Sequence, residues 1–334
     1  MVKHRVLIVG TGSIGERQLR CFGETDRVEL SLCEINGPLR TRIADRYDVK
    51  TTFADFNEAV ASQPDVAVIC TPAHLHIPMA TTLANKGIHL LCEKPLSVSL
   101  DGVNELIRAI DRQGVTFAIA YIFRCHPLAR ACKEALDSGR FGKPLNLVNV
   151  AGQHFPFYRP AYRETYYTHH ETGGGAIQDA LTHMINLGEW LVGPIDHLTA
   201  DAAHLILDGV DVEDTVHVLT RQGDLLGCYA HNQHQAPNTC SFTIACERAT
   251  VRIEFHRQRW TYQESPDGDL HVQQMAATER DAHFITQANL FLDAVEGRGQ
   301  VPCTLAAGLQ TLRVNLAALK SVEERTWKKI SDLS

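Results

Sequence analysis

The sequence predicts an α/β chain in two parts: an amino-terminal doubly wound parallel sheet, then an α/β domain with a large, mainly antiparallel sheet. Three observations predict it. The apolar run at residues 5–9 leads straight into Gly10, Gly12 and Gly15, and a helical pattern follows. Apolar runs and helical segments then alternate to about residue 122, as a doubly wound sheet requires. Later, several segments alternate apolar and polar side chains, the period of a sheet with one covered face.

At 334 residues the chain exceeds the usual span of one core. Two domains are expected, 1–122 and 123–334, with the last helix free to pack back on the first. A net charge of -7 argues against sequence-independent nucleic-acid binding. No apolar run reaches the ~18 residues of a membrane helix. The first strand starts almost at Met1, so no signal peptide is expected. Cys33, Cys70 and Cys92 end apolar strands, where cysteine packs as a small hydrophobe. The ten cysteines are therefore read as thiols, which fits a cytoplasmic protein.

The elements follow in order. The turn Gly10-Thr11-Gly12-Ser13-Ile14-Gly15 joins the first strand to a helix. Its first glycine permits the sharp turn, its second lets backbone approach a pyrophosphate, and its third lets helix and strand pack closely. Phosphates would sit at the helix N-terminus, where N–H groups and the dipole favour negative charge. A second strand, residues 28–33, ends at Glu34. A carboxylate about 20 residues past the glycines suits the ribose hydroxyls of a dinucleotide and repels a 2′-phosphate. NAD is therefore expected over NADP, with Arg40 the one nearby feature that suits NADP.

A strand at 65–70 runs into Thr71-Pro72, and a helix at 77–86 stops at Gly87. The strand at 88–92 ends at Glu93-Lys94-Pro95. A helix at 100–112 and a strand at 115–122 complete the first part. A helix at 127–138, a turn at 139–144 and a strand at 145–152 follow. An aromatic-rich loop spans 154–175, and a helix spans 176–192. Strands are expected at 215–220, 225–231, 241–246 and 250–255, and a final helix at 305–324.

Two groups of residues carry chemistry. Lys94 follows a strand at the ligand-binding edge of the sheet, where a lysine would hold a substrate oxygen and share in proton transfer. Asp179 and His183 stand four apart, within reach on one helix face. At about 100° per residue, Leu181, Met184, Gly188 and Leu191 continue a core stripe from Ile177. Gln178, Thr182 and Glu189 form an arc expected to face water. Asp179 and His183 share a third arc with Trp190, expected to border a partly buried cleft. There the carboxylate would orient an imidazole that takes up a hydroxyl proton. His231 with His234, and His169 with His170, lack a third ligand at diagnostic spacing, so no metal is expected.

Taken together, these segments resemble the Gfo/Idh/MocA family of dinucleotide-dependent sugar and cyclitol oxidoreductases. The likeness rests on the glycine turn, Thr71-Pro72 with His76, Glu93-Lys94-Pro95, Tyr121 with Arg124, Gly173-Gly174-Gly175, and Asp179 with His183. Val212-Glu213-Asp214-Thr215 and Phe291-Leu292-Asp293-Ala294-Val295 add to it. The resemblance implies a Rossmann domain and a second domain whose open sheet mediates homodimers or homotetramers. It implies that Lys94 binds the reacting oxygen, that His183 is the general acid/base and that Asp179 orients substrate or His183. It extends the cofactor set to Thr71, Pro72, His74, His76, Glu93, Lys94 and Arg124. Ala73, Ala120 and Leu181 depart from the residues frequent at those places, Asn, Gly and Gly.

The aromatic loop is expected to cover the substrate. Its aromatic faces suit the C–H faces of a sugar, and Arg159 or Arg163 would fork onto an acidic sugar; Tyr162 of the loop, with Tyr121 and His183 outside it, are the further candidate substrate contacts. The activity this implies is NAD-dependent hydride transfer at a secondary alcohol of a sugar, sugar acid or cyclitol. Two alternatives share the fold: an NAD-recycling glycoside-cleaving enzyme, and a redox-sensing regulator without chemistry. The Lys94, Asp179 and His183 set argues against the regulator, which needs no proton shuttle.

Overall fold

The computed structural model describes residues 3–333. It divides into two compact units, residues 1–125 with 278–308, and residues 126–277 with 309–334. In the first unit the elements alternate as β1 (His4–Val9), α1 (Ser13–Gly23), β2 (Val28–Cys33), α2 (Gly37–Tyr47), β3 (Thr51–Phe53), α3 (Phe56–Ala61), β4 (Val66–Ile69), α4 (His76–Ala84), β5 (His89–Cys92), α5 (Val103–Gln113) and β6 (Phe117–Ile119). The six strands are parallel in the order β3-β2-β1-β4-β5-β6. The strand order reverses between β1 and β4, the place where a doubly wound sheet opens a ligand crevice. Val9 lies level with both Cys33 and Ile69, and Ile69 with Cys92. Gly10, Glu34, Cys70 and Glu93 therefore leave the sheet side by side.

Val6, Ile8, Leu32, Val66 and Val68 form the floor of this core, with Leu19, Phe22 and Ile43 from the helices packed on it. Ala288, Phe291 and Leu292 of the helix Arg280–Val295 complete it. Phe291 and Leu292 are fully buried, each gaining about 1.5–3 kcal/mol relative to exposure. Arg17 and Arg20 of α1 pair with Asp281 at the start of that helix, at 3.0 and 2.7 Å. A single cut at residue 122 therefore does not describe the division, because residues 278–308 return to the first unit.

The second unit holds nine strands: β7 (Pro144–His154), β8 (His197–Ala203), β9 (Thr215–Gln222), β10 (Leu225–Asn232), β11 (His234–Cys246), β12 (Thr250–Glu254), β13 (Arg259–Gln263), β14 (His271–Gln274) and β15 (Lys328–Lys329). Their order is β14-β13-β12-β11-β7-β10-β9-β8-β15. Only β7 and β10 pair in parallel. In β9, Val216, Val218 and Thr220 are buried while His217, Leu219 and Arg221 are exposed. That alternation is the period-two signal of the sequence. Strands β3, β8, β13, β14 and β15 lie outside the strands expected from the sequence.

The helix expected at 176–192 begins as a π turn, Ala176–Leu181, and continues as α-helix, Thr182–Val192. One expectation about it is overturned. Gln178, Thr182 and Glu189, assigned to water, are all buried. The last helix, Leu305–Glu324, lays polar side chains against Thr182 and Glu189, while Gln178 donates to the His170 oxygen at 3.0 Å; from residue 309 that helix belongs to this unit rather than to the first. Glu189 accepts from Thr311 Oγ1 and Gln310 Nε2, each at 2.9 Å, and Asn315 Nδ2 donates to Thr182 Oγ1 at 2.9 Å. Asn186 Nδ2 donates to Thr311 Oγ1 at 3.0 Å. Thr311→Val keeps the volume and removes both roles of the hydroxyl. It is expected to destabilise the protein by about 1–3 kcal/mol, read as a lower urea midpoint.

Candidate active site

In the first unit the three glycines of the opening turn have three different constraints. Gly10 sits at φ +82°, and a Cβ there would stand 3.1 Å from the carbonyl oxygen of Cys70. A Cβ on Gly15 would lie 1.9 Å from the carbonyl oxygen of Gly10, so only glycine lets α1 approach β1. Gly12 is the N-cap of α1 and supplies no side-chain cap. A Cβ there would meet nothing within 4 Å. The open side of the turn thus exposes a helix start whose first N–H groups lack partners of their own helix.

Glu34 is fixed beside this turn. Its Oε2 accepts from the Thr11 N–H at 2.8 Å and from the Thr11 hydroxyl at 3.2 Å. Its Oε1 accepts from the Asn36 N–H at 2.9 Å. Arg40 donates to the Glu34 backbone oxygen at 2.7 Å. A pocket of about 430 Å³ opens between Thr11, Gly12 and Ser13 on one side and Leu39 and Arg42 on the other. An uncapped helix start, an open glycine and a fixed carboxylate at the neighbouring strand end fit a dinucleotide. Ile14 belongs to the first turn of α1 and packs against the apolar core.

The remaining first-unit residues separate into presenting and bracing groups. Thr71 is half-buried, and Pro72 and His74 are exposed beyond β4. His76 is buried, its Nε2 2.8 Å from the Thr71 oxygen and its Nδ1 2.9 Å from the Pro95 oxygen. Burial lowers its pKa, the two carbonyls opposing, so the ring is neutral and donates to one of them. His76 therefore braces two turns instead of facing a cofactor. Glu93 is also buried, and burial raises its pKa. It accepts from Gln18 Nε2 at 2.7 Å, tying the end of β5 to α1. Arg124 is buried with an N–H on the Pro302 oxygen, and Tyr121 is 1% exposed. Tyr121, a candidate substrate contact, and Glu93, in the cofactor set, are thus both buried. Lys94 is partly buried, in cis linkage to Pro95.

In the second unit, Asp179 and His183 are both partly buried, as the arc with Trp190 requires. Asp179 lies in the π turn, and its N–H donates to the Gly175 oxygen at 3.0 Å. Its Oδ1 accepts from the Tyr166 hydroxyl at 2.7 Å. Tyr166 is a partner that spacing alone does not reveal, since it comes from the aromatic segment. That segment is not one covering loop. Phe155, Tyr162 and Tyr167 pack with Leu207, Val210 and Val212 in a small core. Tyr162 is buried and donates to the Asp208 oxygen at 2.9 Å, so it does not face substrate. Arg163 donates to the same oxygen at 2.8 Å and lies over the Tyr162 ring. Its Nε is thereby engaged, and both Arg163 and Arg159 are exposed.

Asp214 anchors the chain beside this core. Burial works against its charge, but the N–H groups of Ile206 and Leu207, the Thr215 hydroxyl and the Leu205 N–H outweigh it and keep its pKa low. His231 of β10 is buried, and desolvation pushes its pKa down to about 4, so the ring is neutral. Among the described residues, no three His, Cys, Asp or Glu side chains are grouped to hold a metal ion. No helix among them is long and apolar enough to cross a membrane.

Two family models match successive parts of the chain. Residues 4–121 match the model of an oxidoreductase family with an NAD-binding Rossmann fold, and residues 129–252 match the GFO/IDH/MocA C-terminal domain. A levoglucosan dehydrogenase of Pseudarthrobacter phenanthrenivorans is 22% identical, over 91% of this chain and 90% of its own length. An inositol 2-dehydrogenase of Pseudomonas savastanoi pv. phaseolicola is 28% identical, over 55% of this chain and 53% of its own. A solved levoglucosan dehydrogenase in complex with NADH and levoglucosan superposes with a TM-score of 0.90 at 20% identity, over 98% of this chain and 99% of that one. The glycine turn, the fixed Glu34, the mixed sheet and the two successive domain matches lead to one assignment: the chain belongs to the Gfo/Idh/MocA family of NAD(P)-dependent oxidoreductases.

Proposed function

We propose that the chain is an NAD-dependent dehydrogenase acting on a secondary alcohol of a sugar, sugar acid or cyclitol. The observation that carries this reading is the pair Asp179 and His183 at the start of one helix, with Asp179 held by the Tyr166 hydroxyl at 2.7 Å. A carboxylate so held orients a neighbouring imidazole for proton transfer. The levoglucosan and inositol dehydrogenases among its relatives support a polyol substrate. NAD, when bound, supplies the hydride acceptor.

In this reading Gly12 and the N–H groups of α1 hold the pyrophosphate. Glu34 takes the ribose hydroxyls and disfavours a 2′-phosphate. Lys94 holds the reacting oxygen, and its positive charge favours the alkoxide that develops there. His183 accepts the hydroxyl proton, and Asp179 keeps the ring in the orientation that does so. Arg159 remains a candidate for an acidic substrate group. Self-association as a homodimer or homotetramer belongs to the same reading. It would use the outer face of the second sheet, where Val150, Leu219 and Leu226 are exposed.

The first test mixes the protein with NAD and a panel of levoglucosan, inositols, aldoses and sugar acids, and follows reduced cofactor by absorbance. Lys94→Ala and His183→Gln are each expected to lower kcat by about 10²–10⁴-fold with the thermal midpoint unchanged. Full turnover by Lys94→Ala would remove the mechanism. Gly12→Ala separates cofactor binding from folding. Its new Cβ meets no protein atom, so stability is expected to stay within about 0.5 kcal/mol while NAD affinity, by calorimetry, falls at least about tenfold.

A further inference from the structure

The triple glycine and the Val212–Thr215 segment are given no chemistry by the reading above, yet they meet at one point. Gly175 is the N-cap of the helical run that carries Asp179 and His183, and it has no side chain to cap with. It stands at φ +91°, and a Cβ on it would lie 2.7 Å from both carboxylate oxygens of Glu213. Glu213 Oε1 accepts from the Ile177 N–H at 2.8 Å, and its backbone oxygen accepts from the Ala176 N–H at 2.9 Å. Its Oε2 lies 2.6 Å from His170 Nε2. Gly174 is confined as well, since a Cβ there would come within 2.2 Å of the Tyr167 oxygen. A carboxylate thirty-six residues away therefore does what a Ser or Asp N-cap does locally. It needs the glycine at 175 to let it in.

The consequence reaches Asp179 through one peptide. The Gly175 oxygen accepts from the Asp179 N–H at 3.0 Å, so the group that seats the catalytic carboxylate's backbone is the residue pressed against Glu213. Gln178 fastens the same stretch, with its side-chain N–H on the His170 oxygen at 3.0 Å. The Glu213 side chain is 8% exposed, so bulk water has little access to replace it. The run opens as a π turn, a wider winding that has to be held in place and that recurs at functional sites.

We propose that Glu213, braced by His170, is the positioning residue that sets the place of Asp179 and His183. This rests on the dehydrogenase reading given above. Without the carboxylate, the Ile177 N–H loses its acceptor, and the turn relaxes toward a geometry that supplies one. A displacement of about 1 Å at a catalytic group costs on the order of 10²-fold in rate.

The test compares Glu213→Ala and Glu213→Gln with the wild type in the full chain. Glu213→Ala is expected to lower kcat by about 10–100-fold, leave the Kd for NAD unchanged and speed hydrogen exchange at the Ile177 amide. Glu213→Gln keeps an acceptor oxygen for that amide and is expected to recover most of kcat and of the protection. Wild-type kcat in Glu213→Ala, or an Ile177 amide equally protected in it, overturns the proposal. So does a Glu213→Gln variant as slow as the alanine one. If Glu213→Ala does not fold, His170→Ala takes its place, since the His170 side chain is 42% exposed. It is expected to lower kcat about three- to tenfold with NAD affinity intact, and an unchanged kcat overturns the proposal. If the wild type oxidises no alcohol in the panel, the dehydrogenase reading falls, and the exchange measurement still decides whether Glu213 holds the turn.

Discussion

The architecture depends on how two helix starts satisfy their N–H groups. Both helices that matter here begin on glycine, and glycine cannot cap. At Gly12 the gap stays open, and the space where a side chain would stand is free of protein atoms. At Gly175 the same gap is closed from within by Glu213. One vacancy suits an anionic ligand, and the other is filled by an anionic side chain. Both helix starts favour negative charge, and the difference is where that charge comes from.

Much of the first unit was legible because its signals are local. Residues 28–33 form β2, and the apolar runs ending at Ile69 and Cys92 form β4 and β5. The continuous apolar character of β4, buried throughout, marks a strand covered on both faces, whereas β2 interrupts its apolar residues with Glu29 and Ser31. The final helix, 305–324, also agrees with its periodicity. What could not be read depends on partners distant in sequence. The arc of Gln178, Thr182 and Glu189 looks solvated on a helical wheel. Glu189 and Thr182 are met by Gln310, Thr311 and Asn315, and Gln178 by the His170 oxygen, so each has a buried partner. Composition distinguishes polar from apolar, but it cannot say that a polar group has found a buried partner.

The candidate site shows the same split. Residue type and spacing singled out Asp179 and His183, and their half-buried setting agrees with the reading from the wheel. Tyr166 and Glu213, which hold the Asp179 turn, lie in segments whose local pattern gives no sign of it. Conversely, Tyr162 and His76 looked available by residue type and are consumed by backbone carbonyls. Aromatic and histidine side chains have an apolar body with a polar tip, so the same residue suits a ligand or a core.

The return of residues 278–308 to the first unit bears on how the nascent chain acquires its shape. Ribosomes release the six strands of the parallel sheet early, yet Ala288, Phe291 and Leu292, which finish the hydrophobic packing around them, emerge only after every strand of the second sheet except β15. The amino-terminal segment thus waits through the synthesis of residues 126–277 with part of its apolar surface uncovered. Completion of the early domain is tied to the late arrival of its own missing helix.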